Sequence, residues 1–375
     1  MSVPSNAGSI RIHRDIAAWF TRIVVQPLSR LLRRIVRRVF HRNPAAVAFW
    51  VAESPVVFAA MATLSELRVF DVLKNGPQAA GDLARRVRAD EDALARLLRA
   101  VSAVGLLNRR RDGCYALNPV ARQFCSDSPN PVGAWSELIL QILPLLSRLP
   151  AAVRAGEPLM KHATGGTCWD YLATVPRGTE LHDRAMNAWT EAVVDAIAKR
   201  CPLAQARTVV DVGGGRGALL AALLRSAPHL HGTVCDREHT REEALQRFQR
   251  QGVQDRATHT VGNFFEAVPA GADVYTLKHV LHDWDDDHVL QILRVIRRAI
   301  PPQGRLLIIE GAADHDLLPG ASVRAVWDLT QWIATWGKER TLAEFQALLA
   351  AAGFRLDGVR VTPTYDALVI EAVPV

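Results

Sequence analysis

The segment Val209-Val-Asp-Val-Gly-Gly-Gly-Arg-Gly217 decides the fold of this 375-residue chain. Its first four residues form a short apolar run typical of a β-strand, and glycines follow at positions 213, 214, 215 and 217. Residues 218–224 are alanine and leucine and predict a helix. Glycines let a backbone turn tightly and approach a ligand, and a helix N-terminus offers free N–H groups and a positive dipole. The segment therefore predicts the strand, turn and helix of a nucleotide-type loop, although its spacing is not GxGxxG.

Strands and helices alternate from Arg207 to the end of the chain, which predicts an α/β domain with a Rossmann-like parallel sheet of seven strands. The predicted strands are Thr208–Val212, Gly232–Cys235, His259–Val261, Val274–Leu277, Arg305–Ile309, Phe354–Val361 and Ala367–Ala372. The predicted helices are Leu219–Ser226, Arg241–Gln251, Asp286–Ile300 and Leu342–Ala352. Ligands of such sheets bind at the carboxyl ends of the strands. We take residues 201–375 as this domain.

Residues 45–126 predict a small winged-helix domain. Three helices are expected at Phe58–Leu73, Gln78–Val87 and Asp90–Val104, followed by a hairpin that turns at Asp112-Gly113. A winged helix permits DNA binding, but the third helix mixes acidic and basic residues. Dimerisation is therefore the favoured role, and no nucleic-acid partner is expected. Residues 127–200 form a helical connector broken by prolines.

The basic charge of the chain lies in residues 1–44, which contain nine arginines, no lysine and one acid, while the whole chain carries +7. Between residues 28 and 40 the apolar residues follow helical spacing and arginines fill the other face. Such a helix could lie on an anionic membrane surface, pack on a partner, or act as a targeting peptide. No run of 18 apolar residues occurs, so no transmembrane helix is expected.

Five scattered cysteines form no CxxC pair, which favours reduced thiols in a cytoplasmic protein over a disulfide framework or a zinc site. The expected location is cytoplasmic, with peripheral membrane contact through residues 10–42 as the alternative.

Polar residues follow the predicted strands at the edge where a ligand would bind. Asp211 precedes the glycine turn and could bind a cationic amino group, and Asp236 could accept hydrogen bonds from both ribose hydroxyls. Asn263 could meet an adenine edge and Phe264 could form an apolar wall, while Lys278 could hold a polar tail of the ligand. The alternative for Asp236 is a helix-capping or surface residue, and the alternative for the glycine loop beside Asp211 is an ordinary turn between a strand and a helix.

Three histidines follow the fourth strand, and His282 is the candidate general base because imidazole titrates near neutral pH. His279 could be buried against the sheet, and His288 belongs to the next helix. Glu310 and Glu339 are candidate carboxylates that would orient His282 and stabilise its imidazolium. The acids 285–287 are expected in the first turn of a helix, and no metal is predicted.

The motifs VVDVGGGRG, VCD, GNFF, LKHVLHDWDDD, IIEG and GKERT resemble those of the class I S-adenosylmethionine-dependent small-molecule O-methyltransferases, of the caffeate/isoflavone and bacterial polyketide and phenazine type. The resemblance covers about residues 45–375. It implies a homodimer formed through the winged-helix domain, a small hydroxylated acceptor, and S-adenosylmethionine on the glycine loop. It places the donor on Asp211, Gly213, Gly215, Asp236, Asn263, Phe264 and Lys278. The acceptor is expected beside Met186, Asp283 and Trp336, with His282, Glu310 and Glu339 as the catalytic residues.

Two residues depart from the family pattern. Asn263 stands where the family usually has Asp, and Trp336 stands where Gly is common. The same fold could also carry C-methylation or chemistry that transfers no methyl group, and a winged-helix regulator that senses a small molecule is a further alternative. Retention of His282 and both glutamates favours O-methylation.

Overall fold

The computed structural model describes residues 11–13, 43–128, 132–311, 313, 321–362 and 367–375. Contacts divide the chain into two compact units. Among the described residues, the first unit comprises 43–156 and 163–192, and the second comprises 11–13, 157–162 and 193–375. The basic helix predicted at 28–40 lies outside the described residues, whereas a short strand that was not predicted, β1 (Arg11–His13), lies within them.

The first unit begins with the long helix α1 (Pro44–Glu66). The elements that follow it are α2 (Val69–Leu73), α3 (Ala80–Val87), α4 (Glu91–Ala103), β2 (Asn108–Arg109) and β3 (Tyr115–Ala116). The prediction of one helix from Phe58 to Leu73 is wrong, because α1 begins at Pro44 and ends at Glu66, and Arg68, with φ 60°, separates it from α2. The side chain of Asn43 caps α1 by accepting the N–H of Ala46 at 3.1 Å, and Pro44 suits the first helical turn. Pro55 lies inside α1, and because proline usually ends a helix, the sequence did not predict that α1 continues through this position.

The wing predicted at residues 106–117 is confirmed. Strands β2 and β3 pair antiparallel, with Asn108 opposite Ala116 and Arg109 opposite Tyr115. The turn uses Gly113 at φ 83°, and the side chain of Asp112 accepts the N–H of Cys114 at 3.0 Å. Below the wing, leucines of the three helices form one buried core.

The chain between the wing and the sheet is helical, and two of its helices, at residues 159–164 and 178–198, contain residues of both units. The elements are α5 (Val132–Ile142), a 3₁₀ segment (Leu143–Arg148), α6 (Leu149–Ala155), α7 (Leu159–Thr164), α8 (Cys168–Thr174) and α9 (Gly178–Ala198). The buried carboxylate of Glu137 on α5 accepts a hydrogen bond from the hydroxyl of Ser65 on α1 at 2.9 Å. Glu137 also pairs with Arg184 on α9. This polar cluster joins the connector helices to the winged-helix elements.

The second unit contains the predicted alternation of strands and helices. Its elements are β4 (Thr208–Val212), α10 (Ala218–Ser226), β5 (His231–Asp236), α11 (Arg241–Arg250), β6 (Ala257–Val261), β7 (Val274–Lys278), α12 (Asp286–Ala299), β8 (Arg305–Glu310), α13 (Ala321–Ala334), α14 (Leu342–Ala351), β9 (Phe354–Val361) and β10 (Leu368–Pro374). All seven predicted strands are present. Helix α13 was not predicted.

The sheet has the order β1-β9-β10-β8-β7-β4-β5-β6. The seven predicted strands form it, and β1 adds an eighth at one edge, parallel to β9. Strands β4 to β8 pair parallel, whereas β10 runs antiparallel to both β8 and β9. The ends of β4, β5, β7 and β8 therefore meet at one edge of the sheet.

Two hydrophobic cores cover the two faces of this sheet. Val210 and Val212 face one core, with residues of α12 and α14, whereas Val209 faces the other, with residues of α10 and α11. Ile308 and Ile309 divide between the two cores in the same way. Because successive side chains of a strand point to opposite faces, a strand buried on both faces must be apolar throughout. This explains the continuous apolar runs in the sequence.

Two helical runs of the described chain, Pro44–Glu66 and Val132–Ala155, are long and apolar enough to cross a membrane by length and composition. Neither is an uninterrupted apolar run, and Glu53 and Pro55 lie within the first. Apolar helices of this length also occur in the cores and subunit interfaces of soluble proteins. Length and composition alone are therefore weak evidence for a membrane span.

Candidate functional site

The glycine loop joins β4 to α10 as predicted. Gly213, Gly215 and Gly217 all have positive φ values, between 55° and 73°. A Cβ at Gly213 would lie 2.8 Å from Val280 Cγ2, and one at Gly217 would lie 2.5 Å from the ring of Phe248. Only glycine combines this conformation with so close an approach. The loop is therefore fixed against the turn that follows β7.

Asp211 lies beneath the glycine loop and is 1% exposed. Its Oδ1 accepts a hydrogen bond from the hydroxyl of Thr276 at 2.7 Å, whereas its Oδ2 has no hydrogen-bond partner. A Cβ at Gly214 would lie 2.5 Å from that Oδ2, so a larger residue could not lie there. Burial raises the pKa of Asp211 to about 7. The carboxylate is thus poorly stabilised in the chain alone and suited to a cationic partner.

Asp236 ends β5 and faces the same loop. Its Oδ2 accepts the N–H of Gly215 at 2.7 Å, and its Oδ1 accepts the N–H of Arg237 at 2.6 Å. Both contacts hold the carboxylate at the edge of the sheet predicted from the sequence.

The remaining residues predicted at the donor lie on neighbouring strand ends. Phe264 approaches the glycine loop, since its Cε1 would lie 3.6 Å from a Cβ at Gly213. The amide of Asn263 donates to Glu266 Oε1 at 2.8 Å, and its Oδ1 accepts the N–H of Phe265 at 3.1 Å. Asn263 thus stabilises the turn after β6. Lys278 is the last residue of β7, opposite Ile309 on β8.

His282 lies on a short 3₁₀ turn after β7 and is 8% exposed. Its Nδ1 is 3.0 Å from Glu339 Oε1 and 3.5 Å from Glu310 Oε2. Its Nε2 is 3.7 Å from Asp283 Oδ1. Burial alone would lower the pKa of His282, but the three surrounding carboxylates outweigh it and raise the pKa to about 10. The structure therefore brings together the three residues predicted to be catalytic.

Glu310 is fully buried at the end of β8. Its Oε1 accepts two backbone hydrogen bonds, from the N–H groups of Val280 and Leu281, both at 2.9 Å. Its Oε2 has no hydrogen-bond partner and faces the imidazole of His282. Glu310 therefore fixes the turn that carries His282 as well as providing negative charge beside it.

Several residues that support His282 were missed by the sequence reasoning. A Cβ on Gly337 would overlap the carbonyl oxygen of His282, so the 335–340 segment depends on glycine to lie against this turn. Arg340 is 1% exposed and donates to the carbonyl oxygens of Leu281 at 2.8 Å and Trp284 at 2.7 Å. Gln331 Nε2 lies 3.4 Å from each ring nitrogen of His282. The motif GKERT, which contains Gly337 and Arg340, was the signal that could have found two of them.

The other two histidines differ in their environments. The backbone of His279 has φ 51°, and its ring centroid lies 5.0 Å from that of His282. His288 is in the first turn of α12, where its Nδ1 lies 2.7 Å from Asp285 Oδ1. Asp285 caps this helix and Asp286 and Asp287 follow in its first turn, which confirms the prediction for these acids.

The residues predicted at the acceptor belong to both units of the chain. Asp283 adjoins His282 on the 3₁₀ turn. The ring of Trp336 lies 6.1 Å from that of His288, and Lys161 Nζ lies 5.2 Å from its centroid. Trp336 thus extends an aromatic cluster that includes Trp284 and Phe265. Met186 lies on α9 in the other unit.

Comparisons with known proteins assign the family. Residues 146–355 match the sequence model of the O-methyltransferase domain, and residues 51–127 match that of the O-methyltransferase dimerisation domain. The mitomycin biosynthesis 6-O-methyltransferase of Streptomyces lavendulae is 38% identical over 297 residues, which cover 78% of this chain and 84% of the relative.

Solved structures agree with the sequence matches. The mitomycin 7-O-methyltransferase MmcR superposes with a TM-score of 0.83 at 33% identity, covering 90% of this chain and 100% of that one. The O-methyltransferase NcsB1 of neocarzinostatin biosynthesis was crystallised with S-adenosyl-L-homocysteine and 1,4-dihydroxy-2-naphthoic acid; it gives a TM-score of 0.71 at 33% identity, covering 84% and 95%. The glycine loop, the histidine held by two glutamates and these similarities lead to one conclusion: the chain belongs to the S-adenosylmethionine-dependent O-methyltransferases.

Proposed function

We propose that this enzyme methylates a phenolic hydroxyl of a small secondary metabolite, with His282 as the general base. The observation that carries the proposal is the position of the imidazole, held between Glu339 at 3.0 Å and Glu310 at 3.5 Å. A base oriented by carboxylates is what removal of a hydroxyl proton requires. Relatives named for O-methylation of mitomycin intermediates, and NcsB1 with its dihydroxynaphthoate, support an aromatic or conjugated acceptor.

The donor would lie on the loop between β4 and α10. Gly213 and Gly215 leave room for it, the unpartnered Oδ2 of Asp211 would meet its positive end, and Asp236 would bind its ribose. Phe264 and Asn263 would face its adenine, and Lys278 its methionine end. Bound S-adenosylmethionine supplies an electrophilic methyl group on a positively charged sulfur. Asn263 already donates to Glu266, so the residue that departs from the family pattern would offer the adenine only part of its hydrogen-bonding capacity.

His282 would take the acceptor proton in its neutral form. In the chain alone its pKa is raised to about 10, so the imidazole is protonated at neutral pH. A positive charge bound nearby lowers the pKa of an imidazolium, and His282 would therefore lose its proton more readily once a cation is bound. Phenols have pKa values of about 10, so the acceptor keeps its proton at neutral pH and a neutral His282 would be needed to remove it. Glu339 would hold the ring so that Nε2 faces the acceptor.

Asp283 and Trp336 would line the acceptor. Asp283 Oδ1 lies 3.7 Å from His282 Nε2, the nitrogen proposed to meet the hydroxyl, and could bind a second polar group of the acceptor. Trp336 would form an apolar wall through the aromatic cluster. The enzyme would work as a cytoplasmic homodimer, which the match to the dimerisation domain supports.

Release of S-adenosylhomocysteine over a panel of phenols, polyketides and hydroxylated phenazines tests the proposal. We expect release that depends on the acceptor, together with a product heavier by one methyl group on oxygen. A product methylated on carbon, or a converted acceptor without a new methyl group, would overturn O-methylation in favour of other chemistry on this fold. A shift of genomic DNA fragments in a gel would instead favour a winged-helix regulator.

A further inference from the structure

We propose that His279, His282 and Glu310 form a binding site for a divalent transition metal such as Zn²⁺, and that a metal bound there inhibits the enzyme. The three side chains lie on two neighbouring strand ends, after β7 and at the end of β8. One nitrogen or oxygen from each lies within 4.8 Å of the others. Two histidines and one glutamate are the ligand set of many zinc sites that keep an open position.

The distances between the ligand atoms fit one metal ion. Glu310 Oε2 lies 3.5 Å from His282 Nδ1 and 3.9 Å from His279 Nδ1. In a tetrahedral site with zinc–nitrogen and zinc–oxygen distances of about 2.0–2.2 Å, neighbouring ligand atoms are about 3.3–3.6 Å apart. The first distance fits as it stands, and the second needs a shift of a few tenths of an ångström. The two histidine nitrogens lie within 4.8 Å of each other and would have to come within the same range, and a water molecule would complete the coordination.

The charge of Glu310 is a second, independent reason to expect a metal ion at this site. Its Oε2 is buried and accepts no hydrogen bond, although its Oε1 accepts two from the backbone. A buried carboxylate oxygen without a donor is costly. A divalent cation carries two positive charges and would compensate it more strongly than the single charge of the His282 imidazolium at 3.5 Å, whose proton it would displace. The side chains of His282 and His279 are 10% and 15% exposed, which leaves a route for the ion.

A second group of three possible metal ligands occurs among the described residues, but it does not offer a comparable metal site. It consists of Asp71, Cys125 and Asp127. Lys74 Nζ lies 3.2 Å from Asp71 and 3.1 Å from Asp127, so an ammonium group already compensates both carboxylates. The cluster around Glu310 is therefore the preferred position for a metal.

Inhibition follows from the nitrogen that the metal would take. His282 Nδ1 is the atom that Glu339 holds at 3.0 Å, so metal binding replaces the hydrogen bond that orients the ring. It also removes the imidazole from proton transfer. This consequence rests on the base role proposed for His282, whereas the site itself rests only on the positions of its ligands.

The first test titrates Co²⁺ into the full-length wild-type chain and records its visible absorption, because protein-bound Co²⁺ of low coordination number absorbs far more strongly than aqueous Co²⁺. We expect a saturable band that Zn²⁺ abolishes by displacement. The variant His279→Asn should weaken Zn²⁺ binding by at least about tenfold, since losing even an outer-shell partner of a metal costs 10–100-fold. Asparagine tolerates the left-handed backbone at this position, and His279→Gly serves as a second variant.

The matched control is His288→Asn, which removes a neighbouring histidine paired with Asp285 and should bind Co²⁺ as the wild type does. Wild-type protein without a band, or His279 variants with an unchanged one, would overturn the site. A band lost in His288→Asn and kept in His279→Asn would overturn it equally.

Inhibition is measured separately as S-adenosylhomocysteine release against Zn²⁺ concentration. We expect Zn²⁺ to inhibit the wild type and at least tenfold more to be needed for His279→Asn. Equal inhibition of both would contradict the regulatory claim. Absence of methyl transfer under all conditions would count against the proposed function, whereas the Co²⁺ absorption would still support or overturn the metal site.

Discussion

Asp211 and Glu310 are both buried carboxylates at strand ends, and the chain stabilises them differently. Glu310 accepts two backbone N–H groups and faces an imidazole. Asp211 accepts the hydroxyl of Thr276 through Oδ1 and leaves Oδ2 without a partner, and burial raises its pKa to about 7. A carboxylate kept under such conditions costs folding free energy. The cost is consistent with a group retained for its ligand and not for stability.

Asp211→Asn should stabilise the ligand-free enzyme more at pH 8 than at pH 5. The pKa of Asp211 in the folded chain is raised from the usual 3.8 to about 7. The wild-type enzyme therefore loses stability as the pH rises from 3.8 through about 7 and this buried carboxyl ionises, whereas the uncharged asparagine variant does not. The gain should differ between the two pH values by about 2–3 kcal/mol, measured by urea unfolding. Donor affinity should fall at the same time.

Asp273→Asn is the matched control. Backbone hydrogen bonds from Arg207 and Thr208 lower the pKa of Asp273, so its contribution to stability is already complete at pH 5 and should not change up to pH 8. If Asp211→Asn, like Asp273→Asn, changed the free energy of unfolding by the same amount at pH 5 and pH 8, the raised pKa assigned to Asp211 would be contradicted.

Some individual residues of the candidate site could be predicted from the sequence. Asp211, Asp236 and Glu310 end apolar runs, and parallel strands bring such ends to one edge, so their proximity follows from the pattern. The meeting of His282 with Glu339 came from the family motif. Gly337 and Arg340 lie in the GKERT motif, but their contacts with the turn that carries His282 depend on tertiary packing that the motif alone does not show.

At the scale of elements, Arg340 ties the start of α12 to the turn that carries His282. Its guanidinium donates to the carbonyls of Leu281 and Trp284 and to Asp286 Oδ1 at 2.9 Å. Arg297 makes a similar clamp elsewhere, donating to the carbonyls of Gly353 at 2.9 Å and Val375 at 2.8 Å. Arg340 and Arg297 therefore allow a comparison between an arginine that fixes the backbone at the candidate site and one that fixes it elsewhere.

Arg340→Ala should lower kcat by about 10–100-fold, because a displacement of about 1 Å at a reacting group has effects of this size. Donor affinity, measured by calorimetry, should stay near the wild-type value. Arg297→Ala should lose comparable stability, about 1–3 kcal/mol, with kcat within about twofold of wild type. Equal loss of kcat in both variants would show that Arg340 acts through stability alone. Partial rescue of Arg340→Ala by added guanidine would support its positioning role.

The sequence predicted strands better than long helices. Apolar runs with abrupt ends predicted all seven strands of the sheet to within a few residues. The start of α1 was missed because Pro55 falls in its interior. Helix α13 was missed because its tryptophans, valines, isoleucine and threonine lower helix propensity. Packing in the folded chain outweighs these local preferences.

At the scale of the whole molecule, helix α1 exposes large apolar side chains. Phe49, Trp50, Val51 and Val56 are between 52% and 67% exposed in the single chain. The dimerisation domain matches residues 51–127, which include most of this helix. A patch of this kind on a monomer marks an interface, and tryptophan is enriched among the residues that dominate interfaces.

Trp50→Asp should convert the enzyme from a dimer to a monomer of 41.2 kDa, measured by size exclusion with light scattering. A buried charge opposes association strongly. Leu245→Asp, which changes a 40% exposed leucine on α11, is the matched control and should leave the dimer intact. A wild-type chain that is monomeric at micromolar concentration, or equal dissociation of both variants, would refute the assignment of this interface.

The most direct test of the account is the turnover of His282→Ala with the best acceptor, measured together with its affinity for S-adenosylmethionine. If His282 is the base, kcat should fall by about 10²–10⁴-fold, while donor affinity stays within a few fold of wild type because the donor residues lie on other strand ends. Turnover close to that of the wild type, with donor binding intact, would contradict the assignment of His282.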